Sequence, residues 1–238
     1  MGRAYEYRKA RMFKRWGNMS KTFTRISKEI IISVKASGPD PSVNSRLRVL
    51  MQNAKAANMP KDTIERSIKK AIGKDQADIK EHIYEGYGPH GVAILVESAT
   101  DNPVRTVSNI RSFFSRHGGA LATSGSVSFM FEHKCIFKIH GKEGLDLEEL
   151  ELDMIDAGAQ EVFAENDNII ISGEFEDFGT IQRYIDEHHF EIISAEFEWI
   201  PTQTKEMSES EIADVEKLLI KFEEDDDVTN VFHNMLAK

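Results

Sequence analysis

At 238 residues, 40% hydrophobic and 29% charged, the chain has enough material for two or three domains and the composition of a soluble globular protein. No apolar run can cross a bilayer, the first residues lack the apolar stretch of a secretory signal, and the single cysteine, Cys135, excludes an internal disulfide and fits a reducing compartment. The net charge of −10 hides a division: residues 1–75 carry 18 Lys and Arg against 6 Asp and Glu, near +12, which leaves the remainder near −22. A basic segment with helical patterning is the footprint of a polyanion binder.

In chain order, residues 1–19 read as a basic arm. Arg8, Arg11, Lys14 and Arg15 are interleaved with Tyr5, Tyr7, Phe13 and Trp16, and only Glu6 opposes them. Aromatics among cations can stack on unpaired bases or dock the arm on the protein. A helical bundle is expected over 20–75. Phe23, Ile26, Ile30 and Val34 mark a first helix capped by Ser20, and the Pro/Gly-rich 37–42 breaks it. Leu47, Leu50, Ala54 and Ala57 mark a second helix. A third opens with Pro60 as its first residue, buries Ile64, Ile68 and Ile72, and stops at Gly73.

Residues 74–81 read as a polar linker, and the period then changes. The pattern predicts strands over 82–87 and 92–100. A helix capped by Asn102 follows, with Pro103 at its first position and Val104, Val107, Ile110 and Phe113 or Phe114 inward. His117-Gly118-Gly119 ends it, and 126–132 reads as a third strand. From 135 the order is strand, helix, two strands across a turn at 165–167, helix, strand: a βαββαβ, ferredoxin-like unit. A capping box, Ser208 with Glu211, opens a last helix with Ile212, Val215, Leu218, Leu219 and Phe222 inward, followed by a short strand over 228–232. The fold class expected is therefore α+β: a three-helix bundle, an α+β domain of 82–133 plus 205–238, and a ferredoxin-like domain of 134–204 inserted into it.

The candidate nucleic-acid contacts follow from the charge. At 100° per residue, Lys21, Arg25, Lys28 and Lys35 fall within about 80° of one another, opposite the apolar stripe of the first helix. That helix offers only Glu29 as a local partner. Arg46, Arg48, Lys55, Lys61, Arg66, Lys69 and Lys70 extend the basic surface. Each phosphate they neutralise would release counterions. No helix-turn-helix signature accompanies them.

Other chemistry is thin. The eight histidines show no metal-ligand spacing, so no metal and no cofactor are expected. Cys135 reads as a core residue rather than a nucleophile. The Gly/Ser loop 118–126 could cradle a phosphate through its amides, but it lacks the Walker and dinucleotide patterns and reads as a flexible connection. Asp101, Asn102 and Arg105 could suggest a hydrolase, although capping accounts for the first two. The acidic helices read as solvated faces. The chain is expected not to be an enzyme, with no small-molecule substrate and no membrane partner.

The segments NSRLR (44–48), AANMPKDTIERSI (56–68), YEGYGPHGVAILVE (84–97), TDN (100–102), RTV (105–107), HGGALATSGSVSFMFE (117–132) and DDVTNVFHN (226–234) together resemble the YebC family, over about Ser20 to Asn234. The resemblance implies a cytoplasmic, three-domain protein that binds DNA and regulates transcription. Mitochondrial members of that family are translational activators, and some bacterial members are tied to the ribosome. DNA, ribosomal RNA or the ribosome are thus the partners implied. Two departures stand out: residues 2–16 replace the usual HSKW-type opening, and His90 stands where the family turn has glycine. The latter exchange is expected to alter the turn little.

Overall fold

The computed structural model describes residues 19–73, 78–142 and 144–236. Three helices come first: α1 (Met19–Ser37), α2 (Ser45–Ala56) and α3 (Lys61–Ile72). Ile26, Ile30 and Val34 of α1 are buried against Leu47, Leu50, Ala54 and Ile64, with Phe23 and Ile68 half-buried at the edge. Asn44 caps α2 by accepting from the Leu47 amide at 2.9 Å, and its own amide group bonds back to the Ser33 and Gly38 carbonyls. One side chain thus closes the turn that the sequence marks with proline and glycine.

Three local expectations need correction here. Ser20 lies inside α1 rather than capping it. Pro60 is the N-cap of α3, not its first helical residue. Ile72, the last residue of α3, is 59% exposed rather than buried.

β1 (Lys80–Tyr87) and β2 (Ala93–Thr100) form an antiparallel pair, so the linker is shorter than the sequence suggests. β3 (Ala120–Leu121) flanks β1, and β8 (Val228–His233) flanks β2, giving the order β3-β1-β2-β8. α4 (Pro103–Arg116) and α7 (Glu209–Glu224) cover one face, where Ile94, Val96, Ile110, Phe114, Leu218 and Phe222 pack. α4 buries Thr106, Ile110 and Phe114, whereas Val104 is 74% exposed. The inward face is therefore turned from the expected one, because Thr106 is drawn in by hydrogen bonds to Thr100 and Asp227.

The segment 126–132 is not a strand. Its first part is a turn, Ser128–Met130 is a 3-10 turn, and β4 (Phe131–His140) begins only at Phe131. β4 belongs to the second sheet, with α5 (Leu147–Asp156), β5 (Ala159–Glu165), β6 (Asn168–Glu174), α6 (Phe178–Glu187) and β7 (Ile192–Pro201). The order β5-β6-β4-β7, antiparallel throughout, is that of a ferredoxin-like fold. Its core holds Cys135, Phe137, Ile139, Leu150, Met154, Ile171, Ile181 and Ile185. After β7 the chain returns through α7 to β8 in the first sheet, so the molecule is α+β with the ferredoxin-like unit inserted into the other.

Candidate nucleic-acid interface

The bundle is tied to both sheets, in part by cations that the sequence offers as binding groups. Lys28 Nζ donates to the carbonyls of Ala99 and Asp226 and lies 3.4 Å from Asp227 Oδ1. Lys21 donates to the Glu223 carbonyl at 2.7 Å, and Arg25 donates to Asn230 Oδ1 at 3.1 Å while pairing with Glu29. Asn230 in turn donates to Glu97, which also accepts from the Trp199 indole. One chain of polar contacts thus joins α1, β8, β2 and β7. The cationic face of α1 does find partners beyond Glu29, but they lie far along the chain, at Ala99 and at Glu223, Asp226, Asp227 and Asn230.

α2 is fastened to the ferredoxin-like unit. Asn53 donates to the Ala195 carbonyl at 2.7 Å and accepts from its amide at 2.9 Å, pairing with the free edge of β7 as a strand would. Such edges otherwise invite further strands. Arg48 pairs with Asp186 at 2.6 Å, Arg46 with Glu81 at 2.7 Å and Lys35 with Asp78 at 3.5 Å, all at the surface.

α3 differs. Ile64, Ser67 and Ala71 face the bundle, and the 3.6-residue period turns Lys61, Arg66, Lys69 and Lys70 outward, where all four are exposed. Lys61 sits 3.8 Å from Glu65, and Arg66 bonds back to the Asp62 carbonyl and Thr63 on its own helix. Lys55, near the end of α2, is exposed as well. Of the cations singled out in the sequence, these five reach no other element among the described residues. Arg8, Arg11, Lys14 and Arg15 lie outside the described residues.

The alternative chemistries resolve into structural roles. Glu85 is buried, and its carboxylate accepts the amides of Gly125 at 2.7 Å, Val127 at 2.7 Å and Ser128 at 2.9 Å. The anion seat of the Gly/Ser loop is therefore filled by the protein's own carboxylate, which sequence reasoning missed because Glu85 lies forty residues upstream. Burial alone would raise its pKa, but the three amides outweigh burial and hold it below the usual carboxylate range.

Asp227 follows the same logic. Burial works to raise its pKa, and the Arg105 and Thr106 hydrogen bonds, with the charges of Lys28 and Arg105, bring it down. Arg105 also pairs with Asp101, and Asn102 caps α4, so capping accounts for Asn102 while Asp101 is engaged through Arg105 instead. Burial pushes the Cys135 thiol up to about 12, which removes it as a thiolate nucleophile. Among the described residues, no group of three His, Cys, Asp or Glu could hold a metal ion.

His90 lies in the turn between β1 and β2 at φ +59°, a left-handed conformation that favours glycine. A side chain at this position therefore places strain in the turn. The His90 ring is 3.3 Å from Asp214 and 3.7 Å from Glu211 on α7.

Comparison with known proteins agrees with this architecture. Residues 3–74 match the profile described as the TACO1/YebC protein N-terminal domain, and 79–235 match that of the TACO1/YebC second and third domain. A "Probable transcriptional regulatory protein" of Parabacteroides distasonis is 56% identical over 99% of this chain and 97% of its own. One of the same description from Flavobacterium johnsoniae is 57% identical over 99% of both. The crystal structure of a conserved hypothetical protein from Aquifex aeolicus superposes with a TM-score of 0.76 at 38% identity, covering 92% of this chain and 90% of that one. The chain is a member of the TACO1/YebC family.

Proposed function

We propose that the protein is a non-catalytic regulator of transcription that binds DNA in the cytoplasm through the outward face of α3. The observation that carries this reading is the contrast between helices. Lys21, Arg25 and Lys28 of α1 are taken up by contacts to the first sheet and α7, whereas Lys61, Arg66, Lys69 and Lys70 with Lys55 stay exposed and reach no other element among the described residues. The printed names of the relatives support the regulatory role. In this reading the arm 1–19 adds cations to the bundle 20–75, and the acidic domains, 82–133 plus 205–238 and 134–204, repel misplaced phosphates and leave α3 as the contact.

A second reading is a translation factor bound to ribosomal RNA. It is favoured by the groove beside α3, where hydroxyls and cations border an aromatic side chain, a combination suited to unpaired bases. Crosslinking in cells, followed by sequencing of the attached nucleic acid, separates the two. Enrichment of promoter DNA is the expected result, ribosomal RNA would establish the second reading, and recovery of neither overturns both.

A further inference from the structure

A shallow, open groove of about 350 Å³ runs between α1 and α3. Phe23, Ile31 and Ile79 give it an apolar floor. Thr24 and Ser27 border it, Thr63 and Ser67 border it with their hydroxyls bonded within α3, and Lys28, Arg66 and Lys70 bring positive charge. None of the described residues lining it is acidic, in a chain whose net charge is −10. Lys28 is already held by Asp227 and two carbonyls, and Arg66 bonds back to Asp62 and Thr63 on its own helix, so Lys70 and the exposed side of the Arg66 guanidinium are the charge that can meet a ligand. Phe23 is half-buried at the edge of the bundle core rather than sealed inside it.

We propose that this groove seats a nucleotide of a single-stranded nucleic acid, with the base on Phe23 and the adjoining phosphates on Arg66 and Lys70. The chemistry is that of a single-strand site. An aromatic ring supplies stacking that any base can use, and cations beside it follow the backbone. A duplex keeps its bases stacked on one another and would reach only the cations. The inference rests on the nucleic-acid reading above and narrows it to a strand form.

The test is fluorescence anisotropy with the full-length protein and three labelled probes: an oligothymidylate, an abasic strand of equal length, and a duplex. Phe23→Leu should weaken oligothymidylate binding about tenfold, the scale of one lost stacking contact, and leave the abasic strand unchanged. R66Q/K70Q, both at exposed positions, should weaken binding to both single strands and flatten the salt dependence by about 1.4 in log–log slope. The second variant keeps the test open should the first fold poorly.

Equal wild-type affinity for the oligothymidylate and the abasic strand would overturn the base seat. So would unchanged binding in R66Q/K70Q while K61Q/K69Q binds more weakly, an outcome that would leave α3 as a nucleic-acid surface. Wild-type protein that binds none of the three probes would reject the nucleic-acid reading itself.

Discussion

Lys28 on α1 and Asp227 at the head of β8 stand 199 residues apart in the chain and 3.4 Å apart in the fold. Asp227 is buried, and Arg105 reaches the same carboxylate with two N–H groups at 3.1 and 2.7 Å, beside the Thr106 hydroxyl at 2.9 Å. The carboxylate thus joins the helical bundle, α4 and the last strand. Asp227→Asn should lower stability by about 2–3 kcal/mol, less than a fully buried pair because Arg105 remains half in solvent. Equilibrium urea denaturation measures this, and a change below about 0.5 kcal/mol would show that the junction is held by packing alone.

The same group, with Glu85, sets an acid limit. Both carboxylates are held below their ordinary values of 3.8 and 4.5. A depressed folded pKa contributes stability that is present above the unfolded value and lost as pH falls through the folded one. Stability should therefore begin to drop as pH falls below about 4.5, with the loss continuing below 3.8. Glu85→Gln should flatten that decline when denaturation midpoints are compared across acidic pH.

Glu85→Gln also places an NH2 group where backbone amides point inward. About 2 kcal/mol should be lost, and hydrogen exchange at Gly125, Val127 and Ser128 should accelerate selectively. Uniform acceleration across the first sheet instead would mean that Glu85 supports the whole domain rather than this loop.

The turn at His90 predicts an order of stability. Glycine should raise stability by about 1 kcal/mol through relief of the left-handed backbone, because the solvent-screened contacts to Asp214 and Glu211 return little. Valine, branched at Cβ, should lower it. Thermal melts of His90→Gly and His90→Val check the order, and a glycine variant less stable than the parent would assign the turn to the His90 side-chain contacts.

Asn53→Ala should free the outer edge of β7 at Ala195 and cost about 1–3 kcal/mol for two hydrogen bonds lost at a half-buried site. Limited proteolysis should then cut between the bundle and β1 more readily than in the parent protein. Unchanged cleavage would mean that α2 is held to β7 by Val49 and its neighbours in the apolar core.

The parts of the fold that were legible in the sequence are those with local causes. Asn102 caps α4 ahead of Pro103, Ser208 and Glu211 close their capping box, and the βαββαβ order appears as read. The misreadings arise where a distant residue decides. Residues 126–132 look like a strand because their alternation is real, but Glu85 captures the amides that a strand would offer to a neighbour. Val104 looks inward on its own helix, yet Thr106 is pulled in by Asp227. The candidate contacts were legible only as charge. Wheel geometry groups Lys21, Arg25 and Lys28 on one face of α1, but their acceptors at Glu223, Asp226, Asp227 and Asn230 come from the other end of the chain.

That division between structural and free cations is the central claim, and the salt dependence of nucleic-acid binding tests it most directly. Two triple variants are compared with the parent: Lys21, Arg25 and Lys28 to Ala on α1, and Lys61, Lys69 and Lys70 to Gln on α3. The α3 variant should keep its melting temperature and flatten the slope of log affinity against log salt by up to about 2–3. The α1 variant should melt earlier and, where folded, keep the parental slope. A flattened slope in the α1 variant together with an unchanged slope in the α3 variant would contradict the account.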